Sequence, residues 1–250
     1  MTKSKAAAAG RNALLVEKRG TTLALTLNHP RRRNALSAHL VEDLTEALAT
    51  AYRDNTRLVV LRGTGKNFSS GFDMSGYEDE SEGDLVLRFI RIEQLLQKIY
   101  WAPFDTLALV SGRNVGAGVD LISACARRVA APEASFRMPG LRFGLVLGSR
   151  LFATRVGSAR AREVLQLSQT FSATDAHAWG FLTEVAAESR WASIVHAAET
   201  AANELSVETA GRLFRVTRKE DHRDADLADV VRSASQPGLK LRIARYLVDG

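Results

Sequence analysis

Short apolar runs that end in glycine-containing sequence alternate with longer amphipathic segments up to about Ser149 of this chain. Leu58–Leu61 and Thr106–Ser111 are short runs rich in leucine and β-branched residues, which is typical of strands buried in a parallel sheet. Ala38–Arg53 and Leu85–Tyr100 place their apolar residues on one face of a helix. Because parallel neighbours need a crossover between them, this alternation predicts an α/β fold.

Further strand signals flank these segments. Ala13–Arg19 and Thr21–Leu27 are joined at Gly20, and later strands are predicted at Arg127–Ala131 and Ser135–Arg137. Beyond Ser149 the pattern is almost wholly helical. We therefore divide the chain into a disordered tail (residues 1–12), a core of right-handed ββα units (residues 13–190) and a C-terminal helical segment (residues 191–250).

Composition excludes several classes of protein. The single cysteine, Cys125, excludes an internal disulfide and fits a reducing cytoplasm, and the five scattered histidines give no metal-ligand spacing. No apolar run is long enough to span a bilayer. The net charge of +6 favours an anionic partner, but the aromatic residues do not interleave with the basic ones as nucleic-acid stacking would need. We expect a cytoplasmic protein that binds neither membrane nor nucleic acid and holds no metal.

Two predicted strands run into glycine-rich loops, residues 67–74 (NFSSGFDM) and 111–120 (SGRNVGAGVD). Ligands of α/β folds gather where strands end and helices begin, and a helix start presents unpaired N–H groups. The small residues Gly116, Ala117 and Gly118 let a ligand oxygen approach the backbone. Two N–H donors from separate loops can hold one developing oxyanion, although either loop alone could be only a tight turn.

The motifs PRRRNAL, FSSGFD, SGRNVGAGVDL, ASFRMPGLRFG, RVGSARAREVL and FSATDAHAWGFLTEV follow one another in this order. Together they resemble the crotonase (enoyl-CoA hydratase/isomerase) family from about Ala13 to Tyr246. The resemblance implies a ββα spiral core, a C-terminal helical segment used in trimerisation, and a homotrimer or hexamer. It also implies an acyl-CoA thioester substrate, whose oxyanion is held by the N–H groups of Phe72 and Ala117. Phe72 is bulkier than the residue usual there and should narrow the acyl pocket.

The same resemblance places coenzyme A. The arginine run lies where the family passes its chain over the adenosine and phosphate end, and guanidinium groups suit phosphate oxygens; a solvated basic loop is the alternative. The predicted substrate-binding residues are Arg31, Arg32, Arg33, Ala35, Ser70, Asp73, Met74, Gly116 and Gly140. Coenzyme A is then part of the substrate, and no separate cofactor is expected.

Asp120 aligns with the first of the two glutamates that hydratases of this family use, and the second position is Gly140. The segment around Asp120 is most similar to dienoyl-CoA isomerases, whose two further carboxylates fall here at Gly140 and Gly148. One carboxylate can shuttle a proton between carbons but is poorly equipped to position water as well. Asp120 could also be only structural.

We therefore expect double-bond isomerisation with Asp120 as proton shuttle, in fatty acid metabolism. The alternatives are enoyl-CoA hydration, a decarboxylation, C–C cleavage or thioester hydrolysis on the same site, or a non-catalytic binder of acyl-CoA or RNA. A missing second carboxylate could come from the acidic loop Tyr77–Asp84, which carries Glu78, Asp79, Glu80, Glu82 and Asp84.

Overall fold

The computed structural model describes residues 13–218 and 220–249. The tail predicted over residues 1–12 lies outside the described residues. The strands are β1 (Leu14–Arg19), β2 (Thr22–Leu27), β3 (Leu58–Gly63), β4 (Asp105–Val110), β5 (Arg113–Val115), β6 (Arg127–Ala130), β7 (Ser135–Arg137), β8 (Thr170–Ser172) and β9 (Glu184–Val185). The helices are α1 (Ala38–Ala51), α2 (Glu82–Tyr100), α3 (Ala117–Ala124), α4 (Ser149–Val156), α5 (Ser158–Leu167), α6 (Ala173–Ala178), α7 (Trp191–Glu204), α8 (Val207–Thr217), α9 (Arg223–Ala234) and α10 (Leu239–Asp249).

Two sheets organise these elements. The larger has the order β1-β2-β3-β4-β6-β9, in which β1 and β2 are antiparallel and every other neighbouring pair is parallel. The smaller consists of β5, β7 and β8, with β7 parallel to β5 and antiparallel to β8. The predicted α/β fold, with strands that alternate with helices and a helical C-terminal region, is confirmed.

Both faces of the large sheet are covered, as the apolar run of β3 requires. Val59 and Leu61 point into the main core with α1 and α2, whereas Leu58 and Val60 pack with Ile194 of α7 on the other face. This division follows from the two-residue period of a strand. A parallel strand that is buried on both faces therefore reads as continuous apolar sequence.

Helix α2 begins three residues before the predicted start at Leu85. Ser81 accepts from the Asp84 N–H, and the Asp84 carboxylate accepts from the Ser81 N–H, which together form a capping box. Glu82 and Asp84 therefore belong to the first turn of α2 and not to the preceding loop. These acidic residues are a signal of a helix start and not of a loop, because aspartate and glutamate are favoured near the positive end of the helix dipole.

The prediction of almost wholly helical structure beyond Ser149 was wrong at two places, β8 and β9. Each strand has only two or three residues and pairs with a distant segment: Phe171 pairs with Phe136, and Val185 pairs with Ala130. Strands this short show no periodicity in sequence, because their position is decided by the partner strand.

The C-terminal helices make unequal contacts with the rest of the chain. Leu239 and Ile243 of α10 are fully buried in the main core, whereas no residue of α8 is buried. Val207, Leu213 and Val216 of α8 are exposed. Across the described part of the chain, no helix is both long enough and apolar enough to cross a membrane.

Candidate active site

One cavity of about 680 Å³ opens between the two glycine-rich loops, α2, and the turn at Gly140–Phe143. All of the site residues predicted from sequence line it: Arg31, Arg32, Arg33, Ala35, Ser70, Phe72, Asp73, Met74, Gly116, Ala117, Asp120 and Gly140. The structure thus brings together residues that lie more than a hundred positions apart in the sequence.

The two glycine-rich loops touch each other at Gly71. A Cβ atom at Gly71 would overlap the carbonyl oxygen of Val115 and lie 3.1 Å from the Ala117 nitrogen, and its φ of +83° already disfavours other residues. The Val115 N–H donates to Ser69 O at 3.3 Å, which fixes the loops side by side. Glycine at this position therefore allows the backbones of residues 72 and 117 to lie near the same point.

The N–H groups of Phe72 and Ala117 differ from those beside them. Gly71 N–H donates to Ser69 Oγ at 3.1 Å, Asp73 N–H to Leu36 O at 3.3 Å, and Gly116 N–H to Arg137 O at 2.8 Å. Within residues 13–218 and 220–249, the Phe72 and Ala117 N–H groups have no protein acceptor. Phe72 is half-buried and Ala117 is buried, and backbone donors at such positions are usually paired, so these two in a cavity wall indicate a place for a ligand oxygen.

The Phe72 ring lies against α2. It stacks on Phe89 with 4.3 Å between ring centroids, and the guanidinium carbon of Arg88 lies 4.1 Å from its centroid. Phe89 and Phe143 also line the cavity. The part of the cavity beside Phe72 is therefore an aromatic wall, suited to an apolar acyl group.

The arginine run forms an exposed rim of the cavity. Arg31, Arg32 and Arg33 are all exposed, and Arg32 Nη1 lies 3.2 Å from Asp73 Oδ2. Behind them the buried Asn34 donates to the carbonyl oxygens of Thr64 and Asn67, each at 2.9 Å. The rim thus combines exposed positive charge with a backbone held by Asn34, and guanidinium groups suit the oxygens of an anion.

Asp120 lies in the first turn of α3 and is 3% exposed. In the described part of the chain its Oδ1 atom has no hydrogen-bond partner. Burial raises the pKa of Asp120 well above its usual range, and the charge of Glu93 raises it further. Such a carboxylate is a stronger base than one in water.

Gly140 and Gly148 present different amounts of space. A Cβ at Gly140 would lie 3.2 Å from the Leu145 carbonyl oxygen, so a side chain needs only a small shift. At Gly148, where φ is +61°, a Cβ would overlap the Asp120 carboxyl. Asp120 therefore occupies the space that a side chain at position 148 would take.

The acidic loop does not supply a carboxylate to this cavity. Among the described lining residues none comes from Glu78–Asp84. Glu80 pairs with Arg88, Glu82 accepts from the Lys240 N–H at 3.1 Å, and Asp84 caps α2. The interpretation of this loop as a source of the second carboxylate is wrong, because none of its carboxylates lines the cavity; those of Glu80, Glu82 and Asp84 hold α2 and α10 in place.

Sequence reasoning missed Glu93 of α2. Its side chain is 4% exposed, and burial raises its pKa to about 7 despite a hydrogen bond of 3.0 Å from Gln97. The signal was present in the sequence: Glu93 interrupts the apolar face formed by Phe89, Ile92 and Leu96. A charged residue at such a position is rarely buried without a partner.

The comparisons with known proteins agree with this architecture. The family model described as enoyl-CoA hydratase/isomerase matches residues 17–231. A protein from Bordetella parapertussis, described as an enoyl-CoA hydratase/isomerase, has a TM-score of 0.94 and 49% identity, covering 95% of this chain and 99% of that one. A protein from Thermobifida fusca described as an enoyl-CoA hydratase, in complex with acetoacetyl-CoA, has a TM-score of 0.76 and 24% identity, covering 93% of this chain and 95% of that one. This last likeness shows the fold.

A curated relative from Mycobacterium tuberculosis, named "Probable enoyl-CoA hydratase", is 35% identical over 154 residues, or 60% of this chain and 61% of that protein. The chain thus spans about three fifths of the length of that relative. The enoyl-CoA delta isomerase 2 of Rattus norvegicus is 30% identical over 187 residues, or 70% of this chain and 46% of that protein. The match of the family model over most of the chain shows that this protein belongs to the enoyl-CoA hydratase/isomerase family.

Proposed function

We propose that the protein binds an acyl-CoA thioester and moves its double bond through an enolate intermediate, with Asp120 as the proton carrier. The observation that carries this proposal is that two N–H groups without an acceptor among the described residues, those of Phe72 and Ala117, lie in the same cavity wall as a buried carboxyl. N–H donors of this kind stabilise the negative charge that develops on a thioester oxygen.

The charge distribution of the cavity supports a coenzyme A thioester. The exposed arginine rim suits the phosphates, and the aromatic wall of Phe72, Phe89 and Phe143 suits the acyl group. Family membership points to the same substrate class, and a structural neighbour was solved with acetoacetyl-CoA. In this proposal coenzyme A enters as part of the substrate, and the reaction needs no separate cofactor.

The proposed reaction transfers one proton within the substrate. The Asp120 carboxylate removes a proton from the α-carbon of a 3-enoyl thioester, and the electron pair spreads onto the thioester oxygen between the two N–H groups. Asp120 then returns the proton to the γ-carbon, which leaves a 2-enoyl thioester. A buried base of raised pKa suits this step, because a carbon acid gives up its proton only to a strong base.

Isomerisation is favoured over hydration because positions 140 and 148, where related enzymes carry further carboxyls, are both glycine here. Gly140 has no side chain, and the space at Gly148 is filled by Asp120. Hydration needs one group to position water and another to exchange the proton. Asp120 alone is sufficient to carry one proton from the α-carbon to the γ-carbon of the substrate.

The test compares two substrates of equal chain length. We expect the wild-type protein to isomerise a 3-enoyl-CoA and to hydrate the corresponding 2-enoyl-CoA only feebly. Gly140→Glu should raise hydration by roughly 10²-fold, because it restores a second acid–base group at a position with nearly enough room. Gly140→Gln is the matched control, since it adds the same volume without the carboxyl. Hydration by the wild type at ordinary enzymatic rates would refute the assignment of roles.

We also propose that copies of this chain assemble as a trimer or hexamer through the C-terminal helices. Val207, Leu213 and Val216 of α8 are exposed apolar residues, and Leu241 and Leu247 of α10 are exposed as well. Burying them against a second copy would remove that surface from water. Light scattering should give a trimer or hexamer mass, and Leu213→Glu should shift it downward. A stable monomer at micromolar concentration would contradict this assembly.

A further inference from the structure

Two buried carboxyls meet at one glycine of this protein. The Glu93 carboxyl of α2 lies beside the Gly148 N–H, which lowers its pKa, and both residues line one cavity. The Asp120 carboxyl of α3 lies against the Gly148 Cα, where any side chain would overlap it. Gly148 is also the N-cap residue of α4, with φ of +61°. A single glycine thus separates the two acidic side chains and ties three helices together.

The two carboxyls open onto different cavities. Asp120 lines the first cavity, whereas Glu93 and Gly148 line a second one of about 890 Å³. Because Glu93 lines this second cavity, it can exchange a proton with solvent without passing the first cavity, where the substrate would bind. The charged or titratable groups that line the second cavity with Glu93 are Tyr100, Arg150, Arg162, Glu220, His222, Arg223, Asp226 and Asp229. Those that line the first cavity with Asp120 are Arg31, Arg32, Arg33, Asp73, Arg113, Arg137 and Tyr246.

We propose that Glu93 is a positioning residue for Asp120: it holds Gly148 against the Asp120 carboxyl, and its charge controls the proton on that carboxyl. This inference rests on the proposed function, because it assigns Glu93 to the same proton transfer. Glu93 itself does not touch the substrate, since it does not line the first cavity among the described residues.

The electrostatics of the pair give the direction of the effect. Burial and the charge of Asp226 raise the pKa of Glu93 to about 7, although the hydrogen bond from Gln97 and the nearby Gly148 N–H oppose the rise. Once Glu93 is ionised, its charge further raises the pKa of the more deeply buried Asp120. Two carboxylates in a region of low dielectric resist being charged together. A neutral residue at position 93 would therefore make Asp120 easier to ionise.

The experiment measures how the rate of α-proton exchange into an acyl-CoA depends on pH, by NMR in deuterated buffer. The rate should rise as Asp120 ionises. In Glu93→Gln we expect this rise at a pH lower by at least about one unit, since one neighbouring charge is removed. The introduced amide has nearly the same shape and its oxygen can still lie beside the Gly148 N–H, so a role limited to holding Gly148 would leave the profile in place and overturn the proposal. Glu93→Asp retains a charge and should keep the profile near that of the wild type.

A second measurement needs neither turnover nor a folded variant at position 93. The carboxyl carbons of aspartate and glutamate can be labelled with ¹³C and titrated in the wild-type protein, with Asp120 assigned from Asp120→Asn. We expect the Asp120 signal to shift in two steps, one of them coincident with the ionisation of Glu93. A single step that is independent of Glu93 would overturn the proposal. If the titration is coupled but no enoyl-CoA exchanges a proton, then the proposed function has failed and the pairing of the carboxyls stands.

Discussion

Asp120→Asn should lower the rate of double-bond isomerisation by about 10²–10⁴-fold, the range that one acid–base group contributes. The amide has nearly the same shape as the carboxyl but cannot take a proton from the α-carbon. Of the two carboxyls that line the cavity among the described residues, Asp73 is paired with Arg32 and Asp120 is not paired with a cation. The loop carboxylates Glu80 and Glu82 are engaged with Arg88 and the Lys240 backbone. No side chain at Gly140 is available to replace it.

The same substitution should leave the free energy of unfolding at neutral pH unchanged or higher. Burial raises the pKa of Asp120 in the folded protein, so between the ordinary aspartate pKa and the raised value only the unfolded chain ionises. The free energy of unfolding therefore falls as the pH rises through this range. An amide does not ionise and avoids that loss of stability. Loss of activity together with equal or higher stability in urea would separate a catalytic role from a structural one.

Asp105→Asn is the matched control for Asp120→Asn. Burial also raises the pKa of Asp105, but this residue begins β4 and does not line the cavity among the described residues. We expect it to keep wild-type turnover. Equal losses in both variants, or full activity of Asp120→Asn, would contradict the assignment of Asp120.

Ala117→Pro should lower kcat/KM by roughly 10²-fold, which corresponds to about 3 kcal/mol for one oxyanion donor. Proline removes the N–H of residue 117 and leaves its carbonyl. Ala117 is the first residue of α3, the position at which proline is best tolerated in a helix. The Kd for coenzyme A should change little, since the substitution does not alter the arginine rim.

Ser158→Pro tests whether a proline at a helix start is itself harmful. Ser158 is the first residue of α5 and, like Ala117, follows a glycine N-cap, Gly157. It does not line the first cavity among the described residues. We expect this variant to retain activity, and circular dichroism of both variants should match the wild type. Full turnover in a folded Ala117→Pro protein would exclude the N–H of Ala117 from the reaction.

The sequence predicted the parts of this fold that depend on local patterns. The apolar run Leu58–Leu61 and the one-sided apolar pattern of Ala38–Arg53 are visible within single short segments, and the structure places β3 and α1 there. By contrast, β8 and β9 depend on backbone pairing with β7 and β6 and have no pattern of their own. Tertiary context decides such short strands.

The residues of the cavity could be predicted for a different reason. The ordered motifs of a known family lie on the loops that form it, and the structure brings those loops together at Gly71. Glu93 lies outside every motif, and it lies near Gly148 only because α2 packs beside α3. Its proximity to Asp120 depends on how the helices pack, and the order of motifs in the sequence does not predict that packing.

A crystal structure of the protein with acetoacetyl-CoA would test the central claim most directly. We predict that the thioester oxygen lies about 3 Å from the backbone nitrogens of both Phe72 and Ala117, the distance at which such donors stabilise an oxyanion. Asp120 should be the carboxyl nearest to the α-carbon, and the phosphates should lie at the arginine rim. A thioester oxygen bound away from those two nitrogens, or a different carboxylate over the α-carbon, would contradict this account.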